Sequence, residues 1–260
     1  MLNLKISNRK SVRAGVTGVV AATVAGLALV ALPGHASATD AGIFGADVMT
    51  PGQYEDFLYT EEFNGDVEAG ETLDQFQKLD AATKLEFVEY LSDPAVGEAL
   101  GNFVNDVADE DNFVTETRKE IYGGDVVMEV ETGVDDGVAA ASTNSADSTF
   151  GTLGTAGDHS AWYSVSDTIF GVKVTWVKIG VNYNTSSTRT RKVYSGWTQH
   201  KNYVPFASFS HSPVSTWISA DPGNNAHAET VWTGKWAGVT WSARERVWAD
   251  QDGFKGGYLK

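Results

Sequence analysis

Between residues 50 and 107 apolar side chains recur every three to four positions, the period of helices with one buried face. Thr50-Pro51 reads as an N-cap followed by proline at the first helical position, with Tyr54, Phe57 and Leu58 behind it. Thr72-Leu73-Asp74-Gln75 fits a capping box ahead of Phe76 and Leu79. Leu85, Val88 and Leu91 form a stripe flanked by Phe87 and Tyr90. Asp93-Pro94 then restarts a helix that turns Val96, Leu100, Phe103, Val104 and Val107 inward. After Asp111 the period drops to two. Phe113, Thr115 and Thr117 alternate with other residues, Gly123-Gly124 offers a turn, and Val126, Met128 and Val130 alternate again, which predicts a β-hairpin.

From residue 159 onward the alternation is that of strands. Val172, Val174 and Trp176 share one face, while Val177, Ile179, Val181 and Tyr183 continue the apolar row on the other parity, so a bulge is expected near Trp176-Val177. Val239, Trp241, Ala243 and Val247 alternate with Thr240, Ser242, Arg244 and Arg246, a half-buried strand with a basic outer row. Trp248 falls on that outer row. Glu245 is the misfit, an acid on the apolar parity, expected to pair with a basic neighbour or to mark a sheet edge. Turn-forming residues cluster at 184–188, 221–225 and 234–238, and there is no repeat of fixed period. The fold class expected is α+β: a small acidic, mainly helical N-terminal region followed by a C-terminal antiparallel β-sandwich or barrel.

The first 38 residues stand apart from this pattern. Lys5, Arg9, Lys10 and Arg13 make a basic start, 14–32 is an uncharged apolar stretch, Pro33-Gly34 breaks it, and Ala36-Ser37-Ala38 is a small-x-small cleavage pattern. A secretory signal peptide removed after Ala38 is the expectation, giving a secreted, extracellular product with no stable membrane anchor after cleavage. The glycines and threonines that dilute the apolar stretch argue against an uncleaved span. A disulfide-free exported chain fits a Gram-positive type secretor.

Charge then divides the rest. Residues 39–140 carry 26 acids against four bases, a net of −22, while 141–260 carry eight acids against 11 bases, a net of +3. All eight tryptophans lie between Trp162 and Trp248. So abrupt a shift suggests two parts: an acidic, mainly helical region at 39–132 ending in the hairpin, and a Trp-rich antiparallel β domain at 159–260. The stretch 133–158, GVDDGVAAASTNSADSTFGTLGTAGD, is nearly all small or polar and reads as a linker. The overall charge of −15 and pI of about 4.6 speak against a nucleic-acid partner. With no cysteine, thiol nucleophiles, iron–sulfur clusters and thiolate zinc sites are excluded.

Catalytic signals are missing. No phosphate-cradling glycine loop, GxSxG elbow, HExxH or metal-spaced histidine cluster is present, so no catalytic residue, cofactor or metal ligand is assigned and the chain is expected not to be an enzyme. His159, His200, His211 and His227 are isolated from one another. His227 with Glu229 on one strand face, or His211 beside Ser212, are the residues a hydrolase with a non-standard site would use. Asp250-Gln251-Asp252-Gly253 resembles part of a calcium loop, but Trp248 and Leu259 stand where such a loop needs acids. The tryptophans carry more promise, because an exposed indole can stack on the apolar face of a sugar ring. Trp232, Trp236 and Trp248, with Arg244 and Arg246 beside the last, are the candidate binding residues.

The stretch 87–96, FVEYLSDPAV, and the run from 226–232, AHAETVW, to GGYL at 256–259 resemble secreted actinobacterial proteins with a helical acidic N-terminal part and a Trp-rich β C-terminal domain. The resemblance implies export and a two-part layout and brings no activity with it. Taken together, the expected function is that of a secreted, non-enzymatic binding protein whose β domain recognises a cell-wall glycan or an exported protein. The alternatives are a secreted envelope-acting antagonist masked by an acidic pro-region, and the hydrolase above.

Overall fold

The computed structural model describes residues 49–106, 118–136 and 156–260. The signal-like segment, Val107, Phe113, Thr115, Thr117 and 137–155 of the linker lie outside the described residues. Among the described residues there are four α-helices followed by ten strands in two antiparallel sheets, an α+β chain.

The helices begin where side chains can take their free N–H groups. Thr50 caps α1 (Pro51–Phe63), accepting from the Gln53 N–H at 3.3 Å while the Gln53 side chain takes the Thr50 N–H at 2.8 Å. α2 (Val67–Gln77) starts earlier than Thr72, because Asp66 supplies the cap; Thr72 is buried inside the helix. Asp80 caps α3 (Ala81–Leu91) by accepting from Ala82 and Thr83. Its buried face is Phe87, Val88 and Leu91, with Leu85 exposed, so the inward stripe lies one step round from the expected one. α4 (Pro94–Asp106) follows Asp93, as Pro94 predicts, and buries Val96, Leu100 and Phe103.

The first sheet runs in chain order: β1 (Arg118–Ile121), β2 (Val126–Asp136), β3 (Gly157–Ile169), β4 (Val172–Thr185) and β5 (Thr190–Asn202). The second contains β6 (Ser208–His211), β7 (Ser215–Ile218), β8 (Ala226–Trp236), β9 (Val239–Asp250) and β10 (Gly253–Leu259). Its order is β10-β9-β8-β6, and β7 pairs with the start of β8. Neither sheet closes on itself. Phe170-Gly171 and Ala237-Gly238 take positive φ at both positions, the two-residue turns whose twist suits tight hairpins.

The bulge in β4 sits at Val174 rather than at Trp176-Val177. Thr168 pairs with Lys173 and Asp167 with Thr175, leaving Val174 as the extra residue. Parity therefore switches two positions early, and Trp176 joins the outer face. The ends of the glycine- and serine-rich stretch are also strand: Gly133 pairs with Trp162 and Asp135 with Ser160.

One interior serves helices and strands together. The two sheets turn apolar rows toward each other, with Tyr163, Val177, Ile179 and Tyr183 on one and Ala228, Trp232, Ala243 and Val247 on the other. Tyr183 donates its hydroxyl to the Asp250 carbonyl at 3.2 Å, and a Cβ on Gly257 would collide with Tyr163. The helices cover the end of the sheets where the two tight turns lie. Gly97 comes close to the Trp236 carbonyl, Gly101 rests on Trp241, and Trp236 donates its indole N–H to the Leu91 carbonyl at 2.9 Å. α2 ties to β4 through Thr72 hydroxyl to the Lys173 carbonyl, the Lys173 N–H to Gln75, and Trp176 to Glu68.

Candidate binding faces

The strand register explains half of the tryptophans before any ligand is invoked. Glycine in a strand leaves backbone bare and weakens the sheet, and an aromatic ring from the opposite strand can lie across the gap. Four tryptophans do this here. Trp162 lies over Gly133, Trp197 over Gly180, Trp241 over Gly234 and Trp248 over Gly256, each directly paired with its glycine. A Cβ built on any of these glycines would fall 2.1–2.5 Å from the indole. Trp241 points inward, whereas Trp162, Trp197 and Trp248 are half-buried on outward faces.

Of the expected binding residues, Trp232 and Trp236 are corrected to the interior. Both sit on the even-numbered inner row of β8 and are 0% and 1% exposed. Their indole N–H groups serve the fold, Trp232 donating to Glu245 at 2.6 Å and Trp236 to Leu91. Glu245 neither pairs with a base nor marks an edge. β9 has β8 and β10 on either side, and burial pushes the Glu245 carboxyl up to about 8, so it is held in its neutral form.

Trp248, Arg244 and Arg246 do share the outer face of the second sheet, joined there by Trp217, His227, Glu229 and Tyr258. These groups are occupied with one another. His227 lies flat on Trp217, ring centroids 4.7 Å apart at 4°, and stacks on Trp248 at 6.1 Å. The Arg246 guanidinium sits 5.2 Å from the rings of both Trp217 and Tyr258 and is held by Glu229, its Nε at 2.7 Å. Arg244 approaches the other Glu229 oxygen at 3.6 Å. This face is a self-satisfied lattice of aromatic, guanidinium and carboxylate groups.

Among the described residues the histidines singled out for a hydrolase do not come together. His227 and His211 lie at different points along the second sheet, paired with Trp217 and Trp232 respectively. Neither ring nitrogen of His227 has a hydrogen-bond partner among the described residues, and burial followed by the Arg246 charge pushes the imidazole down to about 4. His211 is exposed, meets Thr198 and the Ser212 carbonyl, and lies 4.9 Å from the Trp232 ring centroid. Asp250 and Asp252 both reach the Lys255 ammonium at 3.3 Å, so their calcium-like spacing is used by a salt bridge. Among the described residues no group of three or more His, Asp and Glu could hold a metal ion, and no helix is long and apolar enough to cross a membrane.

The outer face of the first sheet is the feature that residue types alone did not disclose. Across β2, β3, β4 and β5 one row reads Gly133, Trp162, Gly180, Trp197. Polar groups surround it: Asn182 accepts from the Trp197 indole N–H at 3.3 Å and donates to Ser195, and Lys178 holds its ammonium 3.9 Å from the Trp162 ring centroid. Burial among these rings lowers the Lys178 pKa. Hairpin arithmetic over Phe170-Gly171 brings Trp162 within one residue of Gly180, and the Val174 bulge, which apolar parity places only to within two residues, completes the match. The chain matches no protein-family model, no curated protein and no solved structure.

Proposed function

We propose that this is an exported, non-enzymatic binding protein, a two-sheet β-sandwich closed at one end by helices, that recognises an extended extracellular glycan. The observation that carries the reading is the Gly133-Trp162-Gly180-Trp197 row, which lays two indoles over bare backbone on an outward sheet face. Trp162 and Trp197 stand two strands apart, about 9.5 Å at ordinary strand spacing. That is close to the disaccharide repeat of an extended β-1,4-linked polysaccharide, so a sugar stacked on Trp197 brings the next but one to the Lys178-capped ring of Trp162. Asn182, Ser195 and Gln199 flank the plates with the donors and acceptors that ring hydroxyls need. The second sheet's outer face contributes less, because Trp248 and its neighbours already stack on each other. Export rests on the basic, apolar, small-residue order of the first 38 residues.

Co-sedimentation of the purified protein with insoluble polysaccharides and cell walls tests the reading. Binding should fall at least about tenfold in Trp197→Ala, the loss of one stacked aromatic, and persist in Trp248→Ala. Absence of binding to every polymer and wall preparation overturns the glycan reading and turns the search to an exported protein partner.

A further inference from the structure

At the opposite end of the strands from the helices lies an open cleft of ≈ 420 Å³, lined by residues of the β4–β5 turn and β5 (Arg189, Thr190, Arg191) and of the turn before β8 (Asp221, Asn224). The chain as a whole carries −15, yet two guanidiniums border this one cavity, with Lys192 next along the strand. Arg189 reaches Asn224 Oδ1 at 3.5 Å and Asp221 at 3.8 Å, with Asp221 76% exposed. So loose and wet an ion pair contributes little and is readily exchanged for another anion. Arg191 is exposed and has no carboxylate partner among the described residues. Asn224 is fixed at the cleft by donating to the Thr190 carbonyl at 3.2 Å. Thr190 is 2% exposed, and its hydroxyl has no hydrogen-bond partner, an arrangement that buried polar groups rarely sustain without one.

We infer that this cleft binds a small organic anion, a sugar-sized molecule bearing a carboxylate or a phosphate group. Arg191 and Arg189 grip the oxyanion in the planar fork that guanidinium offers. The Asn224 amide orients the neutral body, and the cavity volume lies in the range of small-molecule sites. Asp221 holds Arg189 in place until the ligand's own negative charge displaces it. The site lies apart from the Trp162–Trp197 row, so it stands or falls independently of the glycan reading.

Titration of the full protein followed by calorimetry or NMR, at low salt and without phosphate buffer, decides the matter. The probes are glucuronate, glucose 6-phosphate and, as neutral control, glucose. Saturable binding of one or both anions and none of glucose is the expected result, and which anion binds separates carboxylate from phosphate as the source. Arg191→Gln, at an exposed position, should weaken binding about tenfold or more, the worth of one charge-assisted contact. Asp221→Asn, which removes the competing carboxylate, should tighten it several-fold. Trp197→Ala should leave it unchanged. Glucose binding as well as the anions, an unaffected Arg191→Gln, or no anion binding at about 10 mM would each overturn the assignment.

Discussion

At the scale of single residues, the interior holds two carboxyl groups that the fold keeps protonated. Asp167 accepts the Thr175 hydroxyl at 2.6 Å through one oxygen and has no partner for the other, and burial pushes its carboxyl up to about 7. Glu245, bonded to Trp232, is pushed up to about 8. In the unfolded chain both lose their protons near pH 4. Their contribution to stability is therefore full below about pH 4 and is lost as pH rises through 7 and 8, where the unfolded state is ionised and the folded state is not. His227 works the other way. Its folded value of about 4 lies below the ordinary one near 6.5, so its contribution is full above about 6.5 and is lost as pH falls through 4. His200, lowered by burial as well, acts with His227 below about pH 6.5, whereas between about pH 6.5 and 8 the two carboxyls act alone and the net slope is downward. Urea unfolding should show greater stability at pH 5 than at pH 8.5. Asp167→Asn and Glu245→Gln should each recover about 1–3 kcal/mol at pH 8.5 and change little at pH 4.5. A wild-type profile that is flat across this window would refute the buried neutral carboxyls. The glycine plates make a second residue-scale prediction. Gly180→Ala places a Cβ 2.1 Å from the Trp197 ring, so the indole must leave its seat. A loss of about 1–3 kcal/mol is expected in thermal or urea unfolding, together with weakened polysaccharide binding, because the same ring serves both.

At the scale of elements, two of the four helix starts were legible and most strand offsets were not. Thr50-Pro51 and Asp93-Pro94 announce themselves because caps and N1 prolines act within one turn. Thr72 looked like a cap for the same local reason. Its hydroxyl is instead taken by Lys173, far off in sequence, while Asp66 caps the helix. The bulge at Val174 depends on how β3 and β4 share a face, which parity indicates only to within a residue or two. The outer Trp–Gly row was hidden for the same reason, since it exists only once four strands are in register. Asp66 shows how much one element end can hold. It caps α2 at the Ala69 N–H, meets Lys201 at 2.7 Å and accepts from the Tyr203 hydroxyl at 3.1 Å, joining α2 to the end of β5. Asp66→Ala should cost about 2–3 kcal/mol, the sum of a lost cap and lost charged hydrogen bonds. Asp66→Asn, which still caps and still accepts, should cost roughly 1 kcal/mol. Equal effects of the two substitutions in urea unfolding would show that the cap contributes nothing and that the charge facing Lys201 is all that Asp66 supplies.

At the scale of the whole molecule, the charge break near residue 140 does not coincide with a break in the core. Net charge is a property of the surface, and an acidic surface places no limit on what its helices bury. The described residues from 49 onward form one compact unit, with Phe76, Phe87 and Phe103 from the helices in the same apolar cluster as Trp232 and Trp236. β2 belongs in sequence to the acidic part, yet Val126, Met128 and Val130 lie against β3 and complete the interior of the first sheet. A fragment of 159–260 would therefore have β3 as a bare sheet edge. It would also have an uncovered end at Trp236 and Trp241, where α4 and the Leu91 carbonyl now sit. Exposed edges and large apolar patches drive aggregation rather than folding. The intact chain should unfold in one transition, with tryptophan fluorescence, which reports only on 162–248, coinciding with the far-ultraviolet signal of the helices. The 159–260 fragment should bind a hydrophobic dye and aggregate. A soluble, cooperatively folded fragment would instead mean that the helices cover the β structure without being needed for it. In that case Trp197 keeps its seat on Gly180 while Trp162 loses Gly133, and the fragment's polysaccharide binding should fall below that of the full chain.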